Sequence, residues 1–163
     1  MKYKELSLKI IGGWYILSRY RMVDITEKEE IFREATAIGK IRLKPETIKR
    51  INDRKLEKGD PLAAAEIAAI QAGKNTPQII PFCHQIPITN IQTKTDLKNN
   101  SIEVQVRVRG TAKTGVEMEA LVAASIYLLT IWDMVKKYEK DEKGQYPQTF
   151  IESIRVKEKI KAR

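Results

Sequence analysis

The sequence predicts an α+β fold in which an antiparallel sheet carries helices on one face. Three observations predict it. Ile102, Val104, Val106 and Val108 alternate with Glu103, Gln105, Arg107 and Arg109, the period-2 pattern of a half-buried strand. Residues 116–137 read as a long helix after Thr114-Gly115, nearly solid with apolar residues from Leu121 to Met134, as a heavily buried helix would be. The elements run strand, helix, strand, strand, helix, strand, which is the split βαβ, ferredoxin-like order.

Residues 1–21 are weakly patterned and read as an N-terminal extension to a single domain over residues 22–163. Gly12-Gly13 interrupt the extension, and Trp14, Tyr15 and Tyr20 point to docking rather than free movement. Residues 31–43 favour strand around Gly39, with Ile41 and Leu43 alternating with Lys40 and Arg42. Pro45-Glu46-Thr47 opens a short helix, because proline suits the first turn. Residues 56–60 read as a loop. Asp60 is placed to cap the next helix, residues 62–72, with Pro61 at its first position and Gly73 at its end. Residues 76–87 hold three of the six prolines and are expected to be neither a regular helix nor a central strand. A strand through Ile86, Ile88, Ile91 and Thr93 then turns at Asn99-Asn100 into the alternating strand. After the long helix and a charged connector, Phe150, Ile151, Ile154 and Val156 mark the last strand.

Composition narrows the function classes. Thirty basic against twenty-one acidic residues leave a net charge of +9 over 163 residues, which favours an anionic partner without choosing among nucleic acid, a phosphorylated metabolite and a membrane. One cysteine forbids an internal disulfide, and with one histidine it excludes zinc sites built from three or four such ligands. The longest apolar run, residues 120–132, is broken by Ser125 and Thr130 and falls short of the ~20 residues that a span needs. Residues 10–17, behind Lys2, Lys4 and Lys9, are too short for a signal-peptide core. The expectation is a cytoplasmic protein with no membrane contact.

Four places could carry chemistry. Cys83 and His84 are adjacent in Ile80-Pro81-Phe82-Cys83-His84-Gln85-Ile86-Pro87, where prolines stiffen the backbone. Neighbours in an extended chain point apart, so a Cys–His nucleophilic pair is not expected, and a structural cysteine beside a surface histidine is the simpler reading. Glu117 and Glu119 flank Met118 at a helix start, where one acid would satisfy the helix dipole and two ask for a further reason. Asp133 interrupts the apolar helix, so a partner is expected; Lys136 and Lys137 are within reach, and an ordinary helix ion pair would also explain it. Lys58-Gly59-Asp60 precedes a helix N-terminus, a place suited to phosphate although equally a common surface turn; Arg33, in a presumed edge strand, is a second basic candidate. Glu119 and Asp133 are about 40° apart in projection but roughly 21 Å apart along the helix, so they cannot share one small site within a chain.

Met22-Val23-Asp24-Ile25, Arg33-Glu34-Ala35, Lys58-Gly59-Asp60, Ile80-Pro81-Phe82-Cys83-His84, Thr114-Gly115-Val116-Glu117-Met118-Glu119-Ala120-Leu121, Leu129-Thr130-Ile131-Trp132-Asp133-Met134 and Lys136 occur in that order. Together they resemble the cyclic pyranopterin monophosphate synthase family of molybdenum cofactor biosynthesis, over residues 22–157. The resemblance implies a lyase that converts 3′,8-cyclo-7,8-dihydro-GTP to cyclic pyranopterin monophosphate and diphosphate. It also implies a homohexamer, a trimer of dimers, with active sites between subunits. Matching positions imply that Asp133, Lys58 and Lys136 are catalytic and that Phe82, Cys83, His84, Glu117, Met118, Glu119 and Arg33 bind substrate. No prosthetic group and no nucleic acid are implied; Mg2+ is compatible with the triphosphate because hard cations bind phosphate oxygens, and no dedicated metal cage is visible. The family's usual Lys-Ser-Gly-Gly-Lys is absent here, which leaves Lys157 and Lys159 as alternative replacements. Phe82 stands where the family has leucine.

In this reading Lys58 and Lys136 place and neutralise the triphosphate, Asp133 sets Lys136 or acts as base, and His84 shuttles protons or binds the ring. Two rivals stand beside it. A basic ferredoxin-like domain invites comparison with RNA-recognition modules, but residues 102–109 hold none of the stacking aromatics such modules use. A purely structural assembly protein would use Asp133 and Lys136 to pin subunits.

Overall fold

The computed structural model describes residues 21–162, together with β1 (Ile10–Ile11) and β2 (Trp14–Tyr15), which pair antiparallel. The expectations for the rest of residues 1–20 lie outside the described residues. β3 (Ile31–Arg42), α1 (Pro45–Asn52), α2 (Pro61–Lys74), α3 (Thr76–Ile79), β4 (Ile88–Lys98), β5 (Ser101–Ala112), α4 (Glu117–Glu139) and β6 (Phe150–Ala162) follow. The four long strands form one antiparallel sheet in the order β4-β5-β3-β6. Apart from the two-turn α1 and the one-turn α3 on either side of α2 in the chain, this is the ferredoxin-like order read from the sequence.

The alternation of β5 decides which face is covered. Ile102, Val104, Val106 and Val108 are wholly buried, while Glu103, Gln105, Arg107 and Arg109 stand on the other face. Small residues on β3, Ala35 and Ala37, face the same side and let α4 lie close to the sheet. α4 contributes Ala120, Ala123, Ala124, Tyr127, Leu128, Ile131 and Val135, a stripe at helical spacing. Each large apolar side chain so buried contributes about 1.5–3 kcal/mol. α4 is also the one helix among the described residues long and apolar enough to cross a bilayer, at 23 residues. Its apolar stripe lies in the core instead, and the Tyr127 hydroxyl is matched by Thr95 Oγ1 at 2.7 Å.

Three local expectations differ. Gly73 does not end α2, which runs on to Lys74; a Cβ there would stand 2.8 Å from Ile91 Cδ1 and 3.4 Å from Ala123 Cβ, so the glycine serves close packing of α2 on α4 and β4. Within the proline-rich stretch, Thr76–Ile79 forms one helical turn opened by Pro77, before the chain extends through Cys83 and His84. β3 is a central strand, not an edge, so Arg33 sits in the middle of the sheet. Two expected helix starts are present: Pro45 in the first turn of α1, and the cap Asp60, whose Oδ1 accepts from the Leu62 and Ala63 amides at 2.9 and 3.2 Å.

Candidate functional site

The residues singled out from the sequence gather in two clusters, one at each end of α4. At its C-terminal end, Asp133 lies between two lysines. Lys58 Nζ donates to Asp133 Oδ2 at 2.7 Å and to the Asp133 carbonyl at 3.0 Å; Lys136 Nζ donates to Oδ1 at 2.7 Å. Lys58 arrives on the α1–α2 loop, which turns through the hydrogen bond from the Gly59 amide to the Leu56 carbonyl. Asp133 is not buried as the apolar run implied: its side chain is 55% exposed, and α4 turns it to solvent. Lys137 does not join it but pairs with Glu57. Hydrogen bonds from Lys136 and then Lys58 hold the Asp133 carboxyl at a pKa of about 2, and Asp133 in turn raises that of Lys136. A carboxylate so held is a weak base, and it fixes two ammonium groups side by side. They open on a cavity of about 390 Å3 that Lys137, Tyr138 and Lys140 also line. The α2 N-terminus is not the phosphate cradle its position invited, because Asp60 already takes two of its donors.

At the N-terminal end of α4, Glu119 is buried, and its Oε2 has no hydrogen-bond partner among the described residues. Burial, with the Glu117 charge nearby, pushes its carboxyl above the usual range, against a lowering by its own backbone amide. Glu117 takes the opposite course. Burial pushes it up, but Lys159, its own backbone amide and the Arg33 charge outweigh that and hold it low. Lys159 Nζ stands 2.8 Å from Glu117 Oε1. Gly115 permits this arrangement, since a Cβ there would collide with the Glu117 carboxylate folded back over it. Arg33 reaches the Ala112 and Lys113 carbonyls, both at 3.4 Å, so it belongs to this cluster and not to Lys58.

Across a cavity of about 330 Å3, Phe82, Cys83 and His84 face Met118 and Glu119. Met118 and Phe82 are exposed apolar side chains, 39% and 51%. Burial, then the Glu119 charge, raises the Cys83 thiol, so it is no ready nucleophile. His84 Nε2 bonds the Val23 carbonyl at 2.7 Å, not the thiol.

The structure adds residues that local spacing did not reveal. Arg21, Val23, Ile25 and Lys28 line this second cavity, and only the Met22-Val23-Asp24-Ile25 segment hinted at them. Between the two C-terminal lysines, Lys159 joins the glutamates, whereas Lys157 bonds Gln105 Oε1 at 3.3 Å on the opposite face of the sheet. No group of three or more metal-ligating side chains occurs among the described residues.

Fold and sites define a class: a ferredoxin-like α+β protein with a lysine–aspartate cluster and a separate cavity of acid, thiol and imidazole, at the two ends of one helix. The MoaC family model matches residues 22–162, and the chain belongs to that family. Relatives named probable cyclic pyranopterin monophosphate synthase come from Pyrococcus furiosus, 58% identical over 86% of this chain and 90% of that protein, and from Saccharolobus solfataricus, 54% identical over 88% and 97%. A third, of the same name, from Archaeoglobus fulgidus is 51% identical over 88% of this chain and 92% of its own.

Proposed function

We propose that this chain is a cyclic pyranopterin monophosphate synthase acting on (8S)-3′,8-cyclo-7,8-dihydroguanosine 5′-triphosphate, releasing diphosphate. The observation that carries the reading is the Lys58–Asp133–Lys136 cluster, two ammonium groups locked on one carboxylate beside an open cavity. Such a cluster suits a polyphosphate whose negative charge grows at a leaving diphosphate.

Lys58 and Lys136 neutralise the phosphates as one of the substrate's own hydroxyls attacks the α-phosphorus, its proton passing to a base of the site, and the bond to the departing diphosphate breaks; Mg2+ bound to the triphosphate would add to that neutralisation. At least one of the two lysines also passes protons. When a phosphate takes its place at the lysines, Asp133 is released from part of its ion pairing and its basicity rises toward the ordinary carboxylate value. The ring half of the substrate enters the other cavity, where Glu119 offers an oxygen unpartnered among the described residues and His84 a ring nitrogen.

One ligand cannot touch both clusters of a single helix, since Glu119 and Asp133 are about 21 Å apart along its axis. The sites are therefore read as shared between copies of the chain, the N-terminal end of α4 from one and the C-terminal end from another, in a homohexamer built as a trimer of dimers. An enzyme of this kind works in the cytoplasm, where its nucleotide substrate is made.

The test incubates the protein with the cyclic dihydro-GTP triphosphate, wild type beside Lys58→Ala and Asp133→Asn, and follows diphosphate release and an oxidised fluorescent pterin. Turnover by wild type, reduced roughly 10²–10³-fold in folded variants, supports the reading. No product from an assembled wild-type protein would overturn it.

A further inference from the structure

We propose that residues 22–26 form a strap that positions His84, the Val23 carbonyl holding one ring nitrogen so that the other is offered to the ligand. The proposal rests on the reading of the His84 cavity as a substrate site. Nε2 lies 2.7 Å from the Val23 carbonyl oxygen. A carbonyl oxygen only accepts, so Nε2 carries the hydrogen. In the neutral ring the lone pair is then on Nδ1, which has no hydrogen-bond partner among the described residues. The hydrogen bond made by one imidazole nitrogen sets the state of the other.

The strap has a second anchor and an internal brace. Lys113 Nζ donates to the Thr26 carbonyl at 2.6 Å. Asp24 Oδ1 accepts the Thr26 amide at 2.8 Å, closing a turn, and the Lys28 amide reaches the Ile25 carbonyl at 3.1 Å. Apolar burial contributes little, since Met22 and Val23 are 45% and 67% exposed. A segment held by polar anchors over few buried contacts lies at the low end of local stability, so its grip on the ring can be released without unfolding the sheet. Val23 and Ile25 also line the cavity that His84 faces, so the strap is at once its wall and the ring's support. Val23 is a positioning residue here, acting through its main chain.

His84 is the only histidine in the chain, so ring-15N labelling gives the spectrum of a single imidazole. In the full-length, ligand-free protein the Nε2–H signal is expected to be protected from solvent exchange and to show a through-space contact to the Val23–Asp24 backbone. Asp24→Ala combined with Lys113→Ala leaves every side chain assigned to substrate in place. That protection should be lost in the double variant, and kcat/KM should fall roughly three- to tenfold, chiefly through KM, as for one lost hydrogen bond. His84→Gln, which keeps a donor near the Nε2 position, should keep the strap ordered and lose substrate binding; His84→Asn should do the reverse. A wild-type ring N–H that exchanges as fast as in the double variant overturns the proposal, whatever the turnover. A protected ring in a protein without turnover sustains the strap and overturns the proposed function instead.

Discussion

The backbone amide of Lys44 points into the carboxylate of Glu139, 95 residues away, at 3.3 Å from Oε1 and 3.1 Å from Oε2. Thr149 donates its hydroxyl to the same carboxylate. Lys44 returns the contact with its side chain, donating to the Tyr138 and Lys140 carbonyls at 3.3 and 3.0 Å, where α4 runs out of partners for its last carbonyls. This knot joins the end of β3, the end of α4 and the start of β6, three residues beyond Lys136.

Glu139→Ala would strand the Lys44 amide and the Thr149 hydroxyl inside the protein. Each unsatisfied buried group costs about 1–3 kcal/mol, so a loss on the order of 3 kcal/mol is expected. Urea unfolding measures it. A loss below about 1 kcal/mol, the net worth of an ordinary hydrogen bond, would show that water replaces the missing oxygens.

Asp133 should titrate far below an ordinary carboxylate. Its folded pKa of about 2 lies below the ordinary aspartate value of 3.8, so the ion pairing is complete above that value and is lost as the pH falls through about 2. Carbon-13 detection of the side-chain carboxyl reads this directly. In Lys136→Met the midpoint should move up toward the ordinary range, and an unmoved midpoint would assign the effect to Lys58 alone.

Glu119 should make stability fall as the pH rises. Its folded pKa is raised, so between the unfolded and folded values the native state holds the extra proton, and stability is greatest below that window. Glu119→Gln removes the buried ionisation. Its melting temperature is expected to exceed that of wild type at neutral pH, with the gap closing toward pH 4. A gap independent of pH would mean that the glutamate binds its proton equally in the folded and unfolded states, so that burial does not shift it.

Gly115→Ala should disconnect Glu117 from Lys159 by filling the space where the carboxylate lies. The ion pair itself is partly exposed, so stability should shift by only about 1 kcal/mol or less. The Glu117 pKa should rise once Lys159 no longer reaches it, and an unchanged titration would show that the carboxylate has another path to the lysine.

Sites shared between copies would show complementation. Lys58→Ala and Glu119→Gln inactivate opposite ends of α4. Unfolding and reassembling them together in equal amounts should leave about a quarter of the sites with both ends intact. Recovery of activity above either variant alone is the expected result; none would place the whole site within one chain.

Much of this was legible along the chain, and what was not has physical causes. Ile102 through Val108 announce their face by alternation, because a strand with one covered side has period 2. Asp60 and Pro61 announce a helix start, because capping is local. Gly73 misleads, since a glycine inside a helix is costly and usually marks its end, yet here packing against Ile91 and Ala123 outweighs propensity. Asp133 misleads too: an almost wholly apolar helix does not reveal which residues its one free side exposes. Its second partner, Lys58, is 75 residues distant, beyond any rule of spacing. The two clusters at opposite ends of α4 were foreseeable because helical rise is arithmetic.

The pairing of β6 with β3 slips between Thr36 and Ala37, so that Thr36 faces Glu158 while Ala37 faces Val156 and Lys157 is passed over. In an unbroken strand Lys157 and Lys159 would project to the same side, but the extra residue sends one to each face. β6 thus works as a parity inverter, and its charge pattern has meaning only together with the slip. Losing the slip without shortening the strand would put Lys157 opposite Thr36 and Glu158 opposite Ala35, carrying a carboxylate toward Glu117 without altering the strand's composition. For this edge of the molecule, register is a more exacting constraint than composition: swapping lysine for arginine at 159 should be gentler than losing the slip beside it.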